Sequence, residues 1–194
     1  MLKCFYINQN NPFLKFAPFK LEQLHIDPDV NMVHDVVNDN EIQHFIDNAS
    51  PKRNAKYRVT EVAWFKPTFS AIMDRVFKRM GDFSGFDLAS AENLQVVNYG
   101  IGGHYDPHYD HIASKVGDRS LHIFIIYKMT VTSLTDVTHG GGTAFTDLEL
   151  IVPPKRGAAI FWRNILPTGE GDIRLKHAAC PVLLGNKWGK TCFQ

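Results

Sequence analysis

An α+β domain, with helices packed outside an antiparallel barrel or jelly roll, is the fold class this sequence predicts. Two features of pattern carry the prediction. Helical stripes of apolar residues occur only before about residue 90, and after it come short β-rich runs separated by glycine turns. Composition supplies the third: 44% hydrophobic and 21% charged residues over 194 positions suit one buried core, and the chain is too short for two full-sized domains. Residues 1–90 therefore read as a lead-in with supporting helices, and residues 91–194 as the β core.

Taken in order, residues 1–30 are extended or loop-like, broken by the turn signals Asn10-Asn11-Pro12 and Asp27-Pro28. From Asp39 the spacing of Ile42, Phe45, Ile46 and Ala49 is helical, with Asn38 to Asn40 as caps and Pro51 as the stop. A second helix follows Pro67. Its stripe is Phe69, Ile72, Met73, Val76, Phe77 and Met80, and Gly81 stands where a C-cap belongs. Strand candidates then run from Leu94 to Tyr99, Thr143 to Thr146, Ala158 to Trp162 and Pro181 to Leu184. Leu121 to Met129 is a strand or a buried helix, since an unbroken apolar run fits either.

Several functions are excluded early. Lys plus Arg number 21 against 20 for Asp plus Glu, a net charge of +1 that argues against nucleic acid or an anionic membrane as the partner. No stretch approaches the roughly 20 consecutive apolar residues of a membrane-spanning helix. The N-terminus turns polar at Asn8 without an apolar core, so no secretory signal peptide is expected. Cys4, Cys180 and Cys192 are too few and too scattered for a disulfide scaffold or a zinc module.

Chemistry concentrates in Tyr105-Asp106-Pro107-His108-Tyr109-Asp110. Residues two apart on an extended segment face the same side, so His108 and Asp110 can aim an imidazole nitrogen and a carboxylate oxygen at one point. A second histidine completes the two-His-one-carboxylate set that holds Fe(II) and leaves positions open. The pattern alone is weak, because His25-Ile26-Asp27 repeats it without strand context and reads as structural. His177, leading the apolar run Ala178-Ala179, is either an inward ligand or a satisfied core histidine. Zinc on His177 and Cys180 is disfavoured, since a three-residue step on a strand puts them on opposite faces.

Further motifs lie in order along the chain: Leu94 to Gly100, Tyr105 to Asp110, Gly141 to Phe145, Gly169 to Asp172, His177 to Pro181 and Gly185 to Trp188. Together they resemble the catalytic domain of collagen-type prolyl 4-hydroxylase alpha subunits, Fe(II)- and 2-oxoglutarate-dependent dioxygenases. Asn11 to Leu14, Ala17-Pro18 and Lys20 to Glu22 look like the lead-in to that domain. The resemblance implies a double-stranded β-helix (jelly roll) with N-terminal helices outside. It implies hydroxylation of peptidyl proline with release of succinate and CO2, iron held by His108, Asp110 and His177, and L-ascorbate as the reductant. Lys187 would pair with the distal carboxylate of 2-oxoglutarate, Tyr99 and Thr143 would complete that carboxylate's hydrogen bonds, and Tyr105 and Arg119 would contact the peptide. Also implied are a proline-containing, procollagen-like substrate, a protein disulfide isomerase partner and the endoplasmic reticulum lumen.

Two departures from the family qualify this. The stretch from Arg119 to Thr143 is longer, with the excess falling near Lys128 to Leu134. Relatives also continue past Lys187-Trp188 into a strand with a further Lys-Trp-x-His, whereas this chain ends Gly189 to Gln194. A lost last strand would expose a sheet edge, making the chain a fragment or a family member without turnover. The alternative functions are thus a pseudo-hydroxylase acting as a subunit or binding module, and a cupin-like metal-binding jelly roll that has no need of Lys187.

Overall fold

Side-chain alternation along the strands explains how one sheet packs against two different partners. The structure is a computed structural model that describes residues 1–9, 11–49, 60–85, 93–110 and 128–193. Its strands are β1 (Cys4–Ile7), β2 (Phe19–His25), β3 (Val30–His34), β4 (Glu61–Phe65), β5 (Leu94–Tyr99), β6 (Tyr105–His108) and β7 (Lys128–Ser133). They continue with β8 (His139–Gly140), β9 (Thr143–Phe145), β10 (Leu150–Val152), β11 (Ala159–Arg163), β12 (His177–Ala179), β13 (Val182–Leu184) and β14 (Lys187–Phe193). The two helices are α1 (Asp39–Asn48) and α2 (Ala71–Ser84).

A large antiparallel sheet runs β1-β2-β3-β11-β7-β14-β5-β4, and a smaller one runs β10-β9-β12-β6. In β11, Ile160 and Trp162 face the small sheet, where they join Val30, Met32, Phe145, Val152 and Leu175 in a buried cluster. Ala159 and Phe161 face the other way, into a cluster with Ile42 and Phe45 of α1 and Met73, Val76, Met80 and Phe83 of α2. Burial on both faces is why this strand reads as a continuous apolar run.

The helix at Asp39 begins as expected. Asn38 and Glu41 form a reciprocal capping box, and Arg79 of α2 donates to both Glu41 carboxylate oxygens at 2.8 and 2.9 Å. The second helix runs further than expected. Gly81 lies inside it, Phe83 extends the stripe, and Gly85, in the left-handed conformation at φ 75°, is the cap.

The structure adds detail to the sequence reading at two segments. Residues 1–30, read as extended or loop-like, contain strands: β1 and β2, with β3 after them, form an antiparallel meander that continues the large sheet. Its outer strand is largely exposed, so no buried face imprints alternation on the sequence. Residues 128–133, where the excess length falls, form β7, paired with β11 on one side and β14 on the other. Residues 121–127 lie outside the described residues. β14 pairs with β5 and β7, and the edges of the large sheet are β1 and β4. No described helix is long and apolar enough to cross a membrane.

Candidate metal and dicarboxylate site

β12 lies between β9 and β6, and the pairing sets the site. His177 stands opposite Phe145 on one side and His108 on the other. Two residues along, Ala179 stands opposite Thr143 and Tyr105. These residues share the face turned toward the large sheet. β6 uses three residues where β12 uses two, so a bulge falls at Asp106-Pro107. Strand β6 ends at His108, and Asp110 reaches the site from the bend that follows rather than from the strand itself.

One ligand atom from each of His108, Asp110 and His177 falls within 4.8 Å of the other two. His177 is 3% exposed and wedged against the rings of Trp162 and Phe145. Its Nδ1 lies 2.9 Å from the Leu175 carbonyl, and Nδ1 of His108 lies 2.8 Å from the Asp106 carbonyl. A carbonyl only accepts, so both Nδ1 atoms carry the hydrogen and both Nε2 atoms present lone pairs. Burial also pushes the His177 pKa down, with the Asp110 carboxylate opposing it, which favours the neutral ring. Nε2 of His177 is 3.3 Å from Oδ2 of Asp110, and Nε2 of His108 is 3.6 Å from Oδ1. Both atoms of the His177–Asp110 pair are buried without a hydrogen bond. Three acceptors converging with no donor between them is a costly arrangement unless a cation sits among them.

Lys187 reaches the same interior from the large sheet. It opens β14 opposite Tyr99, is 4% exposed, and holds its Nζ 5.5 Å from the Tyr99 ring centre. No hydrogen-bond or ion-pair partner for its ammonium occurs among the described residues. Burial pushes its pKa down to about 8, and the nearby Cys180 opposes only part of that. A pocket between the sheets is lined by Lys187, Thr143, Ser133, Met32 and Ile160. Gly141 sits beside the lysine stem in the left-handed conformation, at φ 68°, where a Cβ would be strained and would stand 3.3 Å from Val137 Cγ1.

The structure thus brings together His108, Asp110 and His177, and separately Lys187, Tyr99 and Thr143. Tyr105 lies beside both sets, and Arg119 is outside the described residues. Sequence reading missed Ser133, because its strand candidate stopped at Met129 whereas β7 runs to Ser133, and the carbonyls of Asp106 and Leu175, which no side-chain pattern reports. His25 and Asp27 serve structure: His25 Nδ1 donates to the Pro28 carbonyl, and Asp27 pairs with Arg174. Cys4 and Cys180 are free thiols.

Two imidazoles and a carboxylate close enough to share one cation, with a buried lysine in the same interior, make this a candidate metal site, and comparison with known proteins places the chain in a family. The model of the 2OG-Fe(II) oxygenase superfamily matches residues 94–194, and the chain belongs to that family. It is 39% identical over 96% of its length to prolyl 4-hydroxylase subunit alpha-2 of Caenorhabditis elegans, covering 38% of that protein. It is 38% identical to prolyl 4-hydroxylase subunit alpha-3 of Homo sapiens, over 96% of this chain and 37% of that one. The chain therefore spans well under half the length of these relatives. The fold is shared with the viral collagen prolyl hydroxylase of Paramecium Bursaria Chlorella virus-1, with a TM-score of 0.70, 23% identity, and coverage of 84% of this chain and 94% of that one. A Pseudomonas putida prolyl-4-hydroxylase gives a TM-score of 0.57 at 14% identity, covering 84% of this chain and 90% of that one.

Proposed function

We propose that this chain is the catalytic domain of a prolyl 4-hydroxylase: an Fe(II)- and 2-oxoglutarate-dependent dioxygenase acting on proline in a peptide, built on a double-stranded β-helix whose two walls are the large and small sheets. The observation that carries the reading is the donor set itself. Two neutral imidazole Nε2 atoms and a carboxylate converge without a donor, and a buried lysine with no ion-pair partner among the described residues lines the pocket between the sheets.

His108, Asp110 and His177 would hold the iron, with the Leu175 and Asp106 carbonyls fixing the two rings. Bound iron and 2-oxoglutarate supply the activation of oxygen that the side chains lack. The chain's own task is placement. Lys187 would bind the distal carboxylate as a point charge, and Thr143, which lines the same pocket, and Tyr99, which stands opposite Lys187, would add hydrogen bonds to it through their hydroxyls. Trp162, Phe145 and Ile160 wall the interior and keep bulk water from the reacting centre. The prolyl substrate rests on the names of the curated relatives. Ascorbate as reductant, a protein disulfide isomerase partner and residence in the endoplasmic reticulum lumen belong to the same proposal and rest on resemblance to the collagen-type subunits.

The test is anaerobic addition of Fe(II) and then 2-oxoglutarate, followed by the visible charge-transfer band of the chelated keto acid. The band should need His108 and should need far more 2-oxoglutarate in Lys187→Ala. Oxygen and a proline-rich peptide should then give peptide-dependent succinate. A band without peptide-dependent succinate would support the binding-module reading, and no band in the folded protein would overturn the proposal.

A further inference from the structure

Tyr105 belongs to two sets of contacts. Its ring lies face to face with the His108 imidazole, with centroids 3.7 Å apart and planes 20° apart. It also packs against the buried cluster of Val97, Tyr99 and Val182 beneath Lys187. Residues three apart on a regular strand face opposite sides, so this stack exists only because the bulge at Asp106-Pro107 rotates His108 back over Tyr105.

The two histidines of the triad are braced differently. His177 is buried, its ring held by Trp162, Phe145 and the Leu175 carbonyl. The side chain of His108 is 19% exposed. Besides the Asp106 carbonyl at 2.8 Å, the closest ring against it among the described residues is Tyr105, with the tilted His177 ring further off at 4.5 Å. One hydrogen bond still lets an imidazole swing about that bond, whereas a stacked ring fixes its plane. From this geometry we infer that Tyr105 is a positioning residue for the metal. Its aromatic face fixes the plane of His108, so that Nε2 points at the Asp110–His177 pair before any ligand arrives. This role is separate from the peptide contact that family resemblance implies for Tyr105, and it rests on the reading of the triad as a metal site.

The two roles predict different results with Co(II) alone, in the absence of peptide and 2-oxoglutarate. Titration of the purified chain, followed by visible d–d absorption, should show one site that disappears in His108→Ala. Tyr105→Phe keeps the face and loses the hydroxyl, and it should bind Co(II) within about twofold of wild type. Tyr105→Leu fills the apolar cluster without a planar face. It should bind roughly tenfold more weakly and with an altered absorption envelope, in the range reported for residues that orient metal ligands. Far-UV circular dichroism confirms that each variant is folded. Wild-type affinity and spectrum in Tyr105→Leu would overturn the inference while leaving the triad intact, and so would a loss in Tyr105→Phe equal to that in Tyr105→Leu. Absence of His108-dependent Co(II) binding in the wild type would instead overturn the metal-site reading, and the inference with it.

Discussion

Lys187 is the residue whose environment makes the sharpest demands. A buried ammonium without an anion among the described residues costs stability, and its pKa near 8 against an ordinary 10.5 corresponds to a penalty on the order of 3 kcal/mol at neutral pH. Between those two values the folded chain binds fewer protons than the unfolded one. The lysine's contribution therefore makes stability rise with pH across that interval and leaves it unfavourable below pH 8. Lys187→Met should accordingly raise the ligand-free stability, by about 1–3 kcal/mol in urea denaturation at pH 7. It should also abolish stabilisation by 2-oxoglutarate. The same titration governs affinity. The wild-type dissociation constant for 2-oxoglutarate should be flat below pH 8 and climb above it toward tenfold per pH unit, whereas Lys187→Arg should stay flat. Calorimetric titration across pH 7–9.5 decides this, and a flat wild-type profile would separate the lysine from the dicarboxylate. That Lys187 mattered was legible from its place in an ordered series of motifs. That Tyr105 lies against His108 was not, because counting by twos fails wherever a bulge adds a residue.

Besides their shared apolar cluster, helices α1 and α2 are joined through one buried carboxylate. Burial alone would raise the Glu41 pKa, but the Arg79 guanidinium and the Asn38 N–H, both hydrogen-bonded to it, outweigh that and hold it below the usual carboxylate range. Arg79 also donates to the Val36 carbonyl at 2.6 Å, so one guanidinium ties α2 to the segment that leads into α1. Glu41→Gln removes the charge and one of the two oxygens that Arg79 grips, while its amide oxygen can still accept from the Asn38 N–H. It should cost roughly 2–3 kcal/mol, read as a lower urea midpoint with unchanged slope. The wild-type advantage should be complete above the unfolded carboxylate pKa and disappear as pH falls through the depressed folded value. A variant as stable as wild type at pH 7 would show the pair to be merely tolerated. At this scale helices were the most legible elements, since both carry a long apolar stripe. Strands β1 to β3 were the least legible, because an edge meander with one exposed strand leaves no clean alternation. The end of α2 was misplaced by one turn, because Gly81 is tolerated inside a helix whose stripe continues to Phe83.

At the scale of the whole molecule, the site is distributed over two walls. The metal residues belong to the small sheet and the bend after β6, and Lys187 belongs to the large sheet. A dicarboxylate that binds the metal at one end and Lys187 at the other therefore tethers the sheets across the core that Trp162 and Phe145 fill. Ligands that bind only the folded chain stabilise it by mass action, by about 2.7 kcal/mol at a hundredfold excess over the dissociation constant. For a chain of this size that corresponds to roughly 5–10 °C in melting temperature. The two-wall arrangement predicts a specific order of losses in thermal melts with Co(II) and then 2-oxoglutarate. Wild type should gain in two steps. Lys187→Met should keep the metal step and lose most of the second, and His108→Ala should lose both, since the dicarboxylate's chelating end then has no metal to bind. If 2-oxoglutarate stabilised His108→Ala as much as wild type, it would be bound through Lys187 alone, and the tether between the sheets would be wrong.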